Sequence, residues 1–171
     1  MSTSPDRGIL DLRGPDPSRT VPYGPAAHQV YEVHEPPGEP HAWVLLVHGG
    51  FWRAEWDRVH LRPLAASLAE EGYAVALVEY VRPGLPGGGW PATGDDVVAA
   101  VAAVGRDEAG ACPVVLVGHS AGGHLAVWTL HQVGEQRRAR SPASPGRSAS
   151  RAAWTFTWST GWAWTATPQP P

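Results

Sequence analysis

Two short stretches of this chain hold residues that could do chemistry, and each closes an apolar run. The first is Gly118-His119-Ser120-Ala121-Gly122, directly after PVVLV and directly before GHLAVWTLHQV. A serine between glycines at a strand-to-helix turn is held in a strained conformation with its hydroxyl exposed. Gly118 and Gly122 are needed there because side chains would strike the neighbouring strand and helix. The chemistry this suggests is nucleophilic attack by Ser120 on a carbonyl carbon. The amide of Ala121, at a helix N-terminus, would face the developing oxyanion. The second stretch is His48-Gly49-Gly50-Phe51-Trp52, which closes AWVLLVH. Glycines let backbone approach a substrate closely, and the amides of Gly50 and Phe51 are candidate donors to the same oxyanion. His48 reads as a structural histidine that hydrogen-bonds this loop. Phe51 and Trp52 read either as the lining of a substrate pocket or as core aromatics.

These residues need a scaffold, and the surrounding pattern supplies one. AWVLLVH, YAVALVEY and PVVLVGH are continuous apolar runs of the kind found in strands buried on both faces. Between the first two, Leu61, Leu64, Ala65 and Leu68 follow helical spacing, with Pro63 tolerated in the first turn and Gly72 ending the helix. A second helix follows Thr93-Gly94-Asp95-Asp96, whose spacing predicts a capping box, and buries Val97, Val98, Val101 and Val104. A third helix follows Ser120. Strand and helix in alternation predict an α/β fold: a three-layer α/β/α sandwich on a mostly parallel sheet. QVYEVHE predicts a short edge strand, and RPGLPGGGWPATG is turn chemistry. The expected division is a flexible arm over 1–22, a folded unit over 23–134 and a tail over 135–171.

Composition narrows the functional classes. The chain has 171 residues, a net charge of −3 and one cysteine, Cys112. Mild acidity gives no electrostatic reason to expect nucleic acid or a membrane as partner. No apolar run approaches the roughly 20 residues of a membrane span. No leader of the secretory type is visible, and a lone cysteine fits a reducing compartment, so a cytoplasmic location is expected. The sequence does not set the oligomeric state. The charge is unevenly spread: residues 135–171 carry five Arg and one Glu, and residues 1–134 carry eight Arg and fifteen acids. From Gln136 onward there is no Leu, Ile, Val, Asp, Glu, His or Tyr. This abrupt change leads to the expectation that residues from about Glu135 onward are read out of frame. Trp154, Phe156 and Trp158 alternate with Thr and Ser, the character of an aggregation-prone strand. The functional alternative for this tail is an Arg/Trp arm that binds RNA, sugar or membrane surfaces.

HGGFW, EYVRPG, GGGWPATGDDV and GHSAGGHLA together resemble the α/β-hydrolases of the kynurenine formamidase and hormone-sensitive-lipase-like esterase group, over Tyr23 to Val133. The resemblance implies an α/β-hydrolase fold, incomplete at its C-terminal side. It makes Ser120 the nucleophile and builds the oxyanion hole from Gly49, Gly50, Phe51 and Ala121. Gly118, His119 and Gly122 form the nucleophile elbow, and Trp52 is a pocket candidate. The implied reaction is hydrolysis of a small carboxylic ester or aryl formamide through an acyl-enzyme, with no cofactor and no metal. A dinucleotide-binding reading of Gly118, Ser120 and Gly123 fares worse. Serine replaces the glycine that admits a pyrophosphate, and no strand ending in an acid follows about 20 residues on.

A serine nucleophile needs a base, and in this fold the chain order is nucleophile, acid, histidine. After Ser120 the sequence holds only His124, His131 and Glu135 as candidates. His131 lies roughly 16 Å along a helix from Ser120, whereas a base must come within about 3 Å of the hydroxyl. His124, one turn along the same helix, reads as structural. Glu79, Asp95 and Asp96 read as ion-pair or cap residues. The expected consequences are little or no turnover and a sheet that ends on an uncovered edge. The competing reading is a non-catalytic binding or scaffold protein built on half of a hydrolase fold.

Overall fold

The computed structural model describes residues 13–140, 153–159 and 163–169. Residues 1–12 of the expected arm, and residues 141–152, 160–162 and 170–171 of the expected tail, lie outside the described residues. The elements run β1 (Arg19–Pro22), β2 (Val30–His34), β3 (Trp43–Val47), α1 (Arg62–Glu70), β4 (Ala74–Val78), α2 (Ala92–Asp107), β5 (Val114–His119), α3 (Ala121–Arg140), β6 (Ala153–Ser159) and β7 (Ala163–Gln169). They build one sheet in the order β1-β2-β4-β3-β5-β7-β6.

The centre of the sheet is parallel, with β3 between β4 and β5 in a register that sets Val47 opposite both Val78 and Gly118. Both flanks are antiparallel. The sheet is therefore mixed, and the parallel expectation holds for its three central strands. β3 and β4 are buried along their whole length because helices cover both faces. Val44, Leu46, Val75 and Leu77 pack against Ala65 of α1. Their alternates Leu45, Val47, Ala76 and Val78 pack on the other side with Val97, Ala100 and Val104 of α2 and Leu125 of α3. The period-two alternation of a strand sends successive residues to opposite layers.

Three local expectations change. Arg19–Pro22, expected in the flexible arm, form β1 and pair with β2. β2 is consequently interior rather than an edge strand, with β4 on its other side. β5 is not an open edge either, since β7 pairs with it from Val117 opposite Thr165 to His119 opposite Ala163.

The ends of the helices follow from local chemistry. Pro63 sits in the first turn of α1. Gly72, at φ +90°, closes the helix with two backbone bonds: its own amide donates to Ala69 O (3.0 Å) and the Tyr73 amide to Leu68 O (3.1 Å). That is the paired closure that a left-handed glycine permits. The capping box expected at Thr93 and Asp96 does not form. α2 already begins at Ala92, after a cis Trp90–Pro91 bond. Thr93 and Asp96 instead hold Val81 from both sides: the Thr93 hydroxyl donates to Val81 O (2.8 Å) and Asp96 Oδ2 accepts from Val81 N (2.9 Å). Asp96 Oδ1 also accepts from Gln29 Nε2 (2.8 Å). The box residues fix the segment after β4 because this segment's buried backbone groups lack a sheet partner and must be satisfied by side chains.

Candidate active site

Ser120 stands at the junction of β5 and α3, exposed, with φ at +53°. A left-handed serine is costly and survives only where its surroundings enforce it. Here the enforcement is the absence of side chains around it. A Cβ on Gly118 would collide with the backbone of Gly122 and Gly123, and one on Gly122 would collide with the carbonyls of Val47 and His48. β5, α3 and the end of β3 thus meet at closer range than any side chain would allow. Ala121 is buried and opens α3. The Ser120 carbonyl accepts the amides of Gly123 (2.9 Å) and His124 (3.4 Å), so the serine caps the first turn through its backbone.

The glycine pair at the end of β3 comes to the same place. A Cβ on Gly49 would lie 2.6 Å from His119 O, 3.0 Å from Ser120 Cβ and 3.1 Å from His119 Nδ1. Gly50, Phe51 and Trp52 then follow with φ of +116°, +53° and +57°, three successive left-handed residues that turn the chain sharply beside Ser120. Gly50 is pressed against Trp56, whose Cβ a side chain there would strike. The structure therefore brings Gly49, Gly50, Phe51, Gly118, His119, Ser120, Ala121 and Gly122 together at one end of the central strands.

The aromatic pair of this loop does not enter the core. Phe51 is 75% exposed and Trp52 39% exposed. Trp52 stands edge-on to the His124 ring, with centroids 5.9 Å apart and an interplanar angle of 83°. His124 is itself exposed, as is His131. His119 turns toward Gly49, and burial lowers its pKa below the usual histidine value.

Beneath the loop lies a charged cluster that the sequence did not reveal as a unit. His48 is fully buried and stacked on Tyr80 at 4.3 Å. Its Nδ1 donates to Gly49 O (2.7 Å), and its Nε2 lies 3.2 Å from Glu79 Oε1 and 3.3 Å from Arg82 Nη1. Glu79 also receives Arg82 Nη1, the Tyr80 amide (3.1 Å), and both the amide and Nη1 of Arg58 (3.2 Å each). Burial opposes the charge on Glu79. The hydrogen bond and charge of His48, with Arg82 and the Arg58 amide, outweigh that and bring its carboxyl down to about 2. Arg58 continues to Glu32 in β2 (2.8 Å), which Arg62 grips with two further bonds (2.8 and 2.7 Å). The one visible signal was an acid, Glu79, directly after a buried strand. Its partners Arg58 and Arg82 come from different segments, and no spacing rule joins them.

Comparison with known proteins places this geometry. The family described as BD-FAE matches residues 30–139, which include the Gly49 loop and the Ser120 turn. An AB hydrolase superfamily protein of Gibberella zeae is 35% identical over 129 residues, 73% of this chain and 43% of the relative. A bacterial heroin esterase superposes with a TM-score of 0.61 at 26% identity, covering 75% of this chain and 43% of that one. Esterase B from Lactobacillus rhamnosis, in a structure with a tributyrin phosphonate, superposes at 0.59 and 25%, covering 74% and 45%. The chain spans less than half the length of these relatives. A glycine-enforced serine turn and a glycine loop against it, on a sheet that matches esterases, make this chain a member of the BD-FAE family within the α/β-hydrolase superfamily.

Proposed function

We propose that this chain carries the nucleophile and oxyanion half of a serine hydrolase site for small carboxylic esters or aryl formamides. The observation that carries the reading is the left-handed Ser120 with Gly49 packed against it. In the proposed step, Ser120 Oγ bonds to the substrate's carbonyl carbon as the hydroxyl proton passes to a base. The oxyanion is met by the amides of Gly50, Phe51 and Ala121. Its collapse breaks the bond to the alcohol or amine, which leaves with the proton, and water then cleaves the acyl-serine. Trp52, half exposed and braced by His124, is the candidate pocket residue beside the serine. The heroin esterase and the phosphonate-inhibited esterase B support ester substrates by likeness. No cofactor enters this reaction.

In this reading no histidine among the described residues is placed as the base for that proton. His124 sits against Trp52, and His131 is further along α3. His48 is fully enclosed. β6 and β7 contain neither acid nor histidine. We attribute residues from about Glu135 onward to an out-of-frame reading; the DNA downstream of the Gly134 codon tests this, and a shifted frame without Asp and His in hydrolase context refutes it.

The experiment is turnover of p-nitrophenyl acetate by the purified chain. The expected rate is at the level of Ser120→Ala; a sustained rate abolished by Ser120→Ala contradicts the missing base. That no described histidine is placed as a base also favours a second reading, a scaffold whose serine never reacts, and covalent labelling of Ser120 separates the two.

A further inference from the structure

We propose that Glu79 is a positioning residue of the oxyanion loop, because its one carboxylate holds both the start of that loop, at His48, and its return, at Arg58. The inference rests on the reading of Gly49–Trp52 as the oxyanion loop and goes beyond it to what sets the loop's shape. Oε1 faces His48 Nε2 (3.2 Å) and accepts from the Tyr80 amide (3.1 Å) and Arg82 Nη1. Oε2 accepts from the backbone amide and Nη1 of Arg58 (both 3.2 Å). Residues 49–57 are thus a span closed at both ends on a single buried side chain. Glu79 is 3% exposed, so it acts through these partners and touches no substrate.

The effect reaches the site through one peptide plane. A carbonyl only accepts, so the bond from His48 Nδ1 to Gly49 O (2.7 Å) requires the hydrogen on Nδ1, and Arg82 Nη1, 3.3 Å from Nε2 and donating to Glu79 Oε1, ties the other side of the ring to the carboxylate. In a trans peptide the carbonyl and the following amide point in opposite directions. Holding Gly49 O toward His48 therefore turns the Gly50 amide away from it, the orientation a donor to the oxyanion needs. The His48 ring cannot swing, since it is stacked on Tyr80, whose hydroxyl donates to His48 O (2.8 Å). At the other end, Arg58 stops the left-handed run Gly50–Trp52 from relaxing toward ordinary backbone. Glu32, gripped by Arg58 and Arg62, fixes Arg58 in turn.

The test compares wild type, Glu79→Gln and Arg58→Gln in the 171-residue chain, by amide hydrogen exchange and by the rate of imidazole-assisted fluorophosphonate labelling at Ser120. In Glu79→Gln, exchange across residues 50–57 should rise at least tenfold while β3 and β5 keep their protection. Labelling should fall by about tenfold or more, part of what losing an oxyanion donor costs. If Glu79→Gln does not fold, Arg58→Gln carries the same expectation. Unchanged exchange at 50–57 in a folded variant, or an equal rise across β3 and β5, overturns the proposal. A wild-type chain that never labels refutes the nucleophile reading alone, and the exchange result still decides for or against Glu79.

Discussion

Gly49 lies directly against Ser120: a Cβ on the glycine would stand 3.0 Å from the serine Cβ and 2.6 Å from the carbonyl of His119. The backbone that would receive an oxyanion and the hydroxyl that would create it are thereby set by one contact between β3 and β5. Gly49→Ala should push this loop off the serine. Labelling of Ser120 by a fluorophosphonate should slow by about tenfold or more, read by intact mass against time.

Gly122→Ala tests the elbow from the other side. The added methyl meets the fixed carbonyls of Val47 and His48, a neighbour that cannot rotate away. Overpacking of this kind costs about 1–3 kcal/mol, and the urea midpoint should fall accordingly. Gly105→Ala, in open space on α2, should leave the midpoint unchanged or raise it slightly.

Arg58 links two buried carboxylates, Glu32 and Glu79. Removing one partner of a buried pair strands a charge and costs about 3–5 kcal/mol. Arg58→Met should cost less than that in equilibrium unfolding, because Glu32 keeps Arg62 and Glu79 keeps Arg82 and His48, yet it loosens both carboxylates at once. Arg62→Met should cost less, because Glu32 keeps Arg58.

Stability should decline in two stages on acidification. Burial lowers the pKa values of His34 and His119, and burial with the charge of His48 lowers that of His60. Groups depressed in the folded state contribute stability that is present above their ordinary value of 6.5 and lost as pH falls below it. Glu79, brought down to about 2, and Glu32, lowered by Arg62 and Arg58 against its burial, add a second loss as pH falls from 4.5 toward 2. Urea midpoints at intervals between pH 8 and 2.5 should show both declines, and Glu79→Gln should flatten the lower one.

Thr93 and Asp96 should matter through Val81 rather than through the helix end. Thr93→Val leaves the Val81 carbonyl without its donor, at a cost of about 1–3 kcal/mol. Asp96→Leu should speed exchange of the Val81 amide before it affects amides within α2.

The three central strands, the helices between them and the two glycine turns were legible because each rests on local signals: unbroken apolar runs, helical spacing and glycine punctuation. What was not legible depends on distant partners. β2 looked like an edge strand because QVYEVHE is short and alternates, yet Glu32 within it is buried, which is possible only with Arg58 and Arg62 supplied from beyond β3. Thr93 and Asp96 have capping-box spacing, but the unpaired backbone of Val81, which no local pattern marks, takes both. The candidate site divides likewise: the tight turns at Ser120 and Gly49 could be read directly, whereas Glu79's hold on both ends of the proposed oxyanion loop depends on residues 31 and 21 positions away.

The central proposal is that Ser120 is a nucleophile without a base among the described residues, and chemical rescue tests it most directly. The chain would be treated with a fluorophosphonate at rising imidazole concentrations and the adduct mapped by mass spectrometry. The account predicts a single adduct, on Ser120, slow without imidazole, faster as imidazole supplies the missing proton acceptor, and absent in Ser120→Ala. No adduct on Ser120 at any imidazole concentration would contradict it and leave a hydrolase scaffold without hydrolase chemistry.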